Sequence, residues 1–230
     1  EESSAGKMYI NSSDLELVYD GNNQVVGIRF SKVNVPKGAI ITNAYLQFTV
    51  DETSSQATTL SIQGEAKPNA ASFSTKKHNV SSRLRTANAV TWSPTVWLQL
   101  KARGSAQRTP NLASIVQEIV NQQGWAAGNS LVMIITGTGK RVAESYEVDH
   151  AGAPMLHIEY TMPANSVNTL ILIATAMPTE SPIASPTNPA IIVSPTPTLV
   201  QPSPTTGVTD TPTPTELIPT QTATPIAPVP

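Results

Sequence analysis

Residues 36–52, PKGAIITNAYLQFTVDE, decide the fold class of this chain. A Pro-Lys-Gly turn is followed by apolar side chains that alternate with more polar ones. This period of two is typical of a β-strand that buries one face, whereas a helix repeats about every 3.6 residues. The apolar positions are Ala44, Leu46, Phe48 and Val50, and the positions between them are Tyr45, Gln47 and Thr49. The stretch therefore predicts a strand with one face in a core.

Short segments of the same kind recur through residues 1–160. Turn-forming residues separate them, for example DGNN at 20–23. The segment SLVMIITGTG at 130–139 is apolar without alternation, as expected of a strand buried on both faces. The others are KMYINSSDLELVYD, QVVGIRFSKVNVP, TTLSIQGEA, AVTWSPTVWLQL and APMLHIEYT. Many short strands with turns between them predict an all-β fold, a jelly-roll-like β-sandwich.

One short helix is predicted among the strands, in TPNLASIVQEIVNQQGW at 109–125. Thr109 suits the N-cap, Pro110 the first helical position and Gly124 the C-terminal stop. Apolar residues recur at i, i+3, i+4, i+7 and i+8; they are Leu112, Ile115, Val116, Ile119 and Val120. The spacing predicts a helix near 110–122 whose apolar stripe lies on the sandwich.

Composition divides the chain near residue 160. Residues 161–230 hold 15 of the 20 prolines, many threonines and no lysine or arginine. Such low-complexity composition favours an extended, polyproline-like chain over a packed core. We therefore predict a β-sandwich domain at 1–160, which is long enough for one core, and an extended Pro/Thr-rich C-terminal tail at 161–230.

Composition also excludes several functional classes. A formal net charge of -2 means that the chain has no excess of positive charge with which to bind nucleic acid. No apolar run approaches the roughly 20 residues of a membrane-spanning helix, so no membrane span is predicted. The absence of cysteine removes disulfides, thiol nucleophiles and Cys-type zinc sites. Tails of this kind are common on exported proteins, and a first residue other than Met suggests processing, so we expect an extracellular or cell-surface location.

The tail begins with an apolar run, SVNTLILIATA at 166–176, which a solvated linker does not need. Three interpretations are open: a last strand of its own domain, a tether packed on the body, or a strand donated to a neighbouring subunit. A short β-rich segment on a flexible leash suits addition to an exposed sheet edge. The residues predicted for this subunit interface are Val167, Leu170, Ile171, Leu172 and Ile173, with Ile191, Ile192 and Val193 as a second contact.

The body resembles a module of large bacterial secreted proteins. The resemblance lies in SSDLELV, VVGIRFSKVNVPKGAIITNAYLQFTVDE, SSRLRT, VTWSP, QRTPNLASIVQEIVNQQGW, GNSLVMIITGTGKRVAES and APMLHIEY. As a set these are similar to the DNRLRE-type extracellular β-sandwich group, some members of which are treated as carbohydrate-binding modules. The resemblance covers about residues 1–160. It implies a jelly-roll-like sandwich in an exported, multidomain or surface protein, and it implies no catalytic residues.

Acidic residues suggest a structural calcium site. Jelly-roll modules often bind Ca²⁺ where the N-terminal segment meets the last strands, and carboxylate oxygens suit this hard cation. The predicted ligands are Glu1, Glu2, Asp14 and Asp149, with Glu16 as a further candidate. The alternative for each of them is solvated surface charge. No other cofactor is predicted.

Sugar binding would need an exposed aromatic ring that stacks on a pyranose face. Trp92 alternates with apolar neighbours and is predicted in the core, and Trp125, just beyond the helix, is predicted as a packing anchor. Trp97 opposes Val96 and Leu98 in phase, so it is the predicted carbohydrate-binding residue.

The sequence predicts no enzyme, because no serine sits in a nucleophile elbow and the carboxylates are scattered. Asp149 with His150 is at most half of a nucleophilic site. Two hypotheses remain. The first is a structural subunit of an extracellular filament or surface assembly, a homopolymer linked head-to-tail through its C-terminal tail by β-strand addition. The alternative is a non-catalytic carbohydrate-binding or adhesion module of a larger secreted protein, with a glycan as its partner.

Overall fold

The computed structural model describes residues 1–163 and, by their backbone, residues 221–222, all within one compact unit. These residues form mostly β-strands with one short α-helix, α1, which confirms the predicted all-β class. The strands are Glu2–Ser3 (β1), Asp14–Leu17 (β2), Tyr19–Asp20 (β3), Asn22–Val33 (β4), Ile40–Gln47 (β5), Val50–Glu52 (β6), Thr59–Gly64 (β7), Val90–Trp92 (β8), Asn129–Thr138 (β9), Arg141–Glu144 (β10), Met155–Thr161 (β11) and Gln221–Thr222 (β12). The helices are Ala113–Val120 (α1) and one 3-10 turn at Ser105–Gln107.

Three antiparallel sheets make up the described fold. The largest has the order β1-β4-β9-β7-β8, with β3 paired to β4. The second has the order β2-β10-β6, and the third has the order β12-β11-β5. Neighbours in each sheet are often far apart in sequence, so long-range pairing fixes the architecture.

The main core lies between the largest sheet and the β5–β11 pair. Ile28 and Met133 from the first belong to the same buried cluster as Leu46 and Leu156 from the second. One shared core between two sheets is the packing of a β-sandwich. The alternation at 44–50 correctly predicted the buried side chains, which are Ala44, Leu46, Phe48 and Val50; all four are fully buried.

Strand β9 is buried on both faces, as its unbroken apolar run predicted. Met133 faces the main core, while Val132 and Ile134 pack in a second cluster with Met8 and Val80. The loops that carry Met8 and Val80 therefore cover the outer face of this central strand.

Helix α1 is shorter than predicted, and Thr109 is not its N-cap. The helix runs from Ala113 to Val120, and the Thr109 hydroxyl instead accepts a hydrogen bond from the Leu46 amide at 3.0 Å. The reason is that the chain before the helix pairs with β5, where the Leu112 amide donates to the Ala44 carbonyl at 2.7 Å. No helix in the described part of the chain is long and apolar enough to cross a membrane.

The predicted apolar stripe of α1 is correct. Ile115, Val116, Ile119 and Val120 are fully buried in the main core. Trp125, beyond the helix, is also buried and donates from its indole nitrogen to the Val35 carbonyl at 2.9 Å. The predictions for this anchor and for Trp92, which is 5% exposed, are confirmed.

Candidate functional site

The outer edge of β11 is the first candidate site, because it pairs with residues of the C-terminal tail. On one side β11 pairs with β5 along its whole length. On the other side Tyr160 pairs with Gln221 and Glu159 with Thr222, in antiparallel register. Within residues 1–163 and 221–222, no other strand pairs with this edge. In the described chain β12 therefore covers this edge only near its C-terminal end.

The two faces of β11 differ, which fixes how a paired strand would be oriented. Leu156, Ile158 and Tyr160 are buried, whereas Met155, His157, Glu159 and Thr161 are partly exposed. Since side chains alternate along a strand, an added strand with apolar residues at every second position would extend the core layer.

The outer face of β11 carries a stack of side chains. The Tyr45 ring lies against His157, with centroids 4.6 Å apart, and the Arg108 guanidinium lies 4.2 Å from the Tyr45 centroid. His157 Nε2 and Glu159 Oε1 are 2.8 Å apart, and hydrogen bonds from His157 and Asn43 lower the pKa of Glu159. This stack links side chains of β5 and β11 across the outer face of the pair.

The predicted donor residues lie outside the described residues. They are Val167, Leu170, Ile171, Leu172, Ile173, Ile191, Ile192 and Val193. Their role as a subunit interface stays a prediction.

A cavity of about 160 Å³ is the second candidate site. It lies between the N-terminal segment, β4 and the turn that follows β10, and Tyr9, Phe73 and Tyr146 line it together with Met8, Ile28 and Pro154. Its polar lining includes Glu1, Arg29 and Glu147. A concave, mostly apolar site with a few polar groups has the general character of a ligand pocket.

Each aromatic ring of the cavity lining also contacts a neighbouring side chain. Lys7 Nζ lies 4.6 Å from the Tyr9 centroid, and the Arg83 guanidinium lies 4.5 Å from the Phe73 centroid. The Tyr146 ring stacks on His150 at 4.2 Å. Each of the three rings thus contacts a neighbouring side chain in addition to lining the cavity.

Glu1 is a buried carboxyl group in the lining of the cavity. Its Oε1 accepts a hydrogen bond from the Glu16 amide at 2.7 Å, and the residue is 8% exposed. Burial, together with the nearby Glu16 carboxyl, raises the pKa of Glu1 to about 8. Burial therefore favours the protonated form of this carboxyl group.

The four predicted calcium ligands do not form one site, which corrects that prediction. In the described part of the chain no three His, Cys, Asp or Glu side chains are grouped to hold a metal. Glu2 accepts hydrogen bonds from the amides of Val80 and Ser81, each at 2.8 Å. Asp149 closes its own turn through the amides of residues 151 and 152. Asp14 lies opposite Glu144 in the β2–β10 ladder, and Glu1 lines the cavity.

The prediction that Trp97 binds sugar is wrong, because this side chain is fully buried. A pair of backbone hydrogen bonds joins Trp97 to Ser54, at 2.7 and 2.9 Å. This pairing determines which side chains of residues 96–98 point into the core. The indole therefore packs near Phe48, while Val96 and Leu98 are 46% and 68% exposed.

The aromatic residues that line the cavity were missed in the sequence because they lie in three separate loops. Gly27 was an available signal, since glycine inside a strand often marks a close approach. A Cβ at Gly27 would lie 2.7 Å from Cζ of Phe73, so Phe73 packs directly on the glycine.

No protein-family model, curated protein or solved structure matches this chain. The resemblance to the DNRLRE-type group therefore stays a prediction that rests on its motifs. The structure does give one of those motifs a physical role. In SSRLRT at 81–86, Arg83 Nη1 contacts the buried Glu65 Oε2 at 2.6 Å.

Proposed function

We propose that this chain is a structural subunit of an extracellular filament or surface assembly, in which the C-terminal tail joins each subunit to the next by β-strand addition. The observation that supports the proposal is the pairing of tail residues 221–222 with the edge of β11. An edge that pairs with a two-residue strand has backbone groups with which a longer strand could pair in its place.

The length of the tail explains how one contact could join two molecules. Residues 162–220 connect β11 to β12, and an extended polyproline-like chain covers about 3.1 Å per residue. A tail of this reach can pair with its own body or with the body of a neighbour. A head-to-tail contact that does not close on itself propagates as a filament.

The run at 167–173 is the donor that we propose for the neighbour's β11 edge. Alternate residues of a donated strand would face the core layer, and each buried Leu or Ile contributes about 1.5–3 kcal/mol. The backbone hydrogen bonds contribute mainly register, because their net contribution is only about 0.5–1.5 kcal/mol each.

The test compares assembly of the parent chain with that of a Leu170→Asp/Leu172→Asp variant. The matched control is Thr196→Asp/Thr198→Asp, which adds the same charges to the tail without altering an apolar run. Sedimentation velocity and negative-stain electron microscopy over a concentration series report assembly, and thermal unfolding reports the body. We expect filaments from the parent and the control, and monomers with an unchanged melting temperature from the Leu variant. Equal assembly by all three proteins would contradict the proposed donor, and a parent that stays monomeric would contradict the function.

A second candidate function, a carbohydrate-binding module, is favoured by the cavity. Its volume of about 160 Å³ and its partly aromatic lining suit a ligand no larger than about one sugar ring. Tyr9, Phe73 and Tyr146 would supply aromatic surface, and Glu1 and Arg29 would supply hydrogen bonds. Binding to a panel of immobilised glycans tests it, with Tyr146→Ala expected to lose binding and Tyr19→Ala, an exposed tyrosine outside the cavity lining, expected to keep it.

A further inference from the structure

We infer that Gln221 and Thr222 form a cap on the β11 edge within a single chain, and that this cap must leave before a strand from a second chain can add there. The inference rests on the proposed assembly function and adds a regulatory step to it. It also names the segment that occupies the edge, which is residues 221–222 of the same chain.

The register of the pairing makes the cap and an incoming strand mutually exclusive. Thr222 lies opposite Glu159 and Gln221 lies opposite Tyr160, on the side of β11 that faces away from β5. A strand edge offers each backbone donor and acceptor to one partner strand. A second strand therefore cannot pair with residues 159 and 160 until residues 221 and 222 have left.

The size of the cap makes it displaceable. It covers two of the seven residues of β11, and no strand of the described chain pairs with Met155–Ile158 on this edge. An incoming strand could begin to pair at this uncovered end and then replace the cap residue by residue. Pairing of residues 221–222 with β11 brings together two points of the chain that residues 162–220 separate, and this costs entropy. A ladder of only two residues therefore competes poorly with a longer strand.

The cap and the assembly respond differently to concentration. Capping is intramolecular, so the capped fraction does not depend on protein concentration, whereas strand addition between chains does. The apparent affinity for an incoming strand is reduced by the fraction of open edges. If at least half of the edges are capped, loss of the cap lowers the concentration at which assembly begins by about twofold or more.

Engineered cysteines can test the pairing directly, because the chain has none of its own. In a Glu159→Cys/Thr222→Cys variant the two positions lie directly opposite, where Cα atoms are about 4.5–5.5 Å apart, within the range that a disulfide spans. In dilute, oxidised protein we expect a disulfide within one chain, seen as a monomer of altered mobility on non-reducing gels. A control with Glu159→Cys/Thr206→Cys should form it much less. Only interchain disulfides from the first variant would refute the cap.

The second arm measures the assembly threshold. Gln221→Pro/Thr222→Pro removes both amide donors from the cap, and Thr205→Pro/Thr206→Pro is the control in the same tail. We expect the threshold to fall by about twofold or more for the first variant and to stay at the parent's value for the control. An unchanged threshold, or loss of assembly, would refute the cap while leaving the proposed function standing. If the parent and both variants stay monomeric although the intrachain disulfide forms, the assembly function itself is refuted, and the cap has nothing to regulate.

Discussion

Replacement of Arg83 by Met should destabilise the body severely, because it would leave a buried carboxylate without its main partner. The side chains of Arg83 and Glu65 are 7% and 2% exposed, and Nη1 lies 2.6 Å from Oε2. Removal of one partner of a buried ion pair typically costs about 3–5 kcal/mol. Lys67 lies 3.9 Å from the other oxygen of Glu65, but its side chain is 60% exposed, so its charge is well solvated and compensates little.

The same substitution would also release a loop. Arg83 donates to the carbonyl oxygens of Ala71 and Asn79 at 2.9 and 2.7 Å, and its guanidinium lies on the Phe73 ring. These contacts place the loss at the upper part of the range. For a domain of this size a loss of 3–5 kcal/mol corresponds to a fall in melting temperature of roughly 6–20 °C.

Urea unfolding followed by tryptophan fluorescence measures the loss, since Trp92, Trp97 and Trp125 are all buried. Arg85→Met is the matched control. Arg85 Nη1 reaches Gln63 Oε1 only at 3.4 Å, so we expect its loss to cost less than about 0.5 kcal/mol. An Arg83→Met/Glu65→Gln variant should recover part of the lost stability, because the unpaired charge is gone. If Arg83→Met costs less than about 1 kcal/mol, or no more than Arg85→Met, the ion pair does not stabilise the body as argued.

Three further predictions concern the body. Burial, and then Glu144, raise the pKa of Asp51 to about 6 from 3.8, so the folded state holds this proton more tightly and loses stability as pH rises from about 4 to above 6. Asp51→Asn should therefore melt at a higher temperature than the parent at pH 8 but not at pH 4. Gly64→Ala should lower the melting temperature, because its Cβ would lie 2.6 Å from Cδ1 of Ile119. Leu98→Ser should change stability by less than about 0.5 kcal/mol, since Leu98 is 68% exposed, and urea unfolding measures it.

The sequence predicted the elements whose pattern is local. Alternation in β5 and the unbroken apolar run in β9 predicted their burial, because each pattern follows from which faces a strand buries. The helix stripe at 115–120 was predicted for the same reason. The errors came from long-range contacts. The Thr109 hydroxyl pairs with the β5 amide of Leu46 rather than with its own helix, and no local pattern encodes that partner.

The site predictions failed where they depended on tertiary placement. Trp97 was expected to be exposed because it alternates with Val96 and Leu98. The bridge to Ser54 instead places Trp97 in the core and leaves the other two side chains exposed. Glu2 looked like a ligand of a cation, yet its carboxylate is occupied by amides from a loop almost eighty residues away in the chain. A carboxylate in a single sequence carries no mark that tells whether its partner is a cation or a backbone amide.

The two proposed functions use different sheets, so they can be tested independently. The cavity is walled by β4, which belongs to the large sheet, whereas strand addition uses β11 in the β12-β11-β5 sheet. Two links join them: Ile28 lines the cavity and belongs to the same buried cluster as Leu156 of β11, and Pro154 lines the cavity and precedes the first residue of β11. Tyr146→Ala should therefore leave the assembly threshold unchanged, and the Leu170→Asp/Leu172→Asp variant should keep any glycan binding. A change in both activities from either variant would mean that the two sites are coupled through the body.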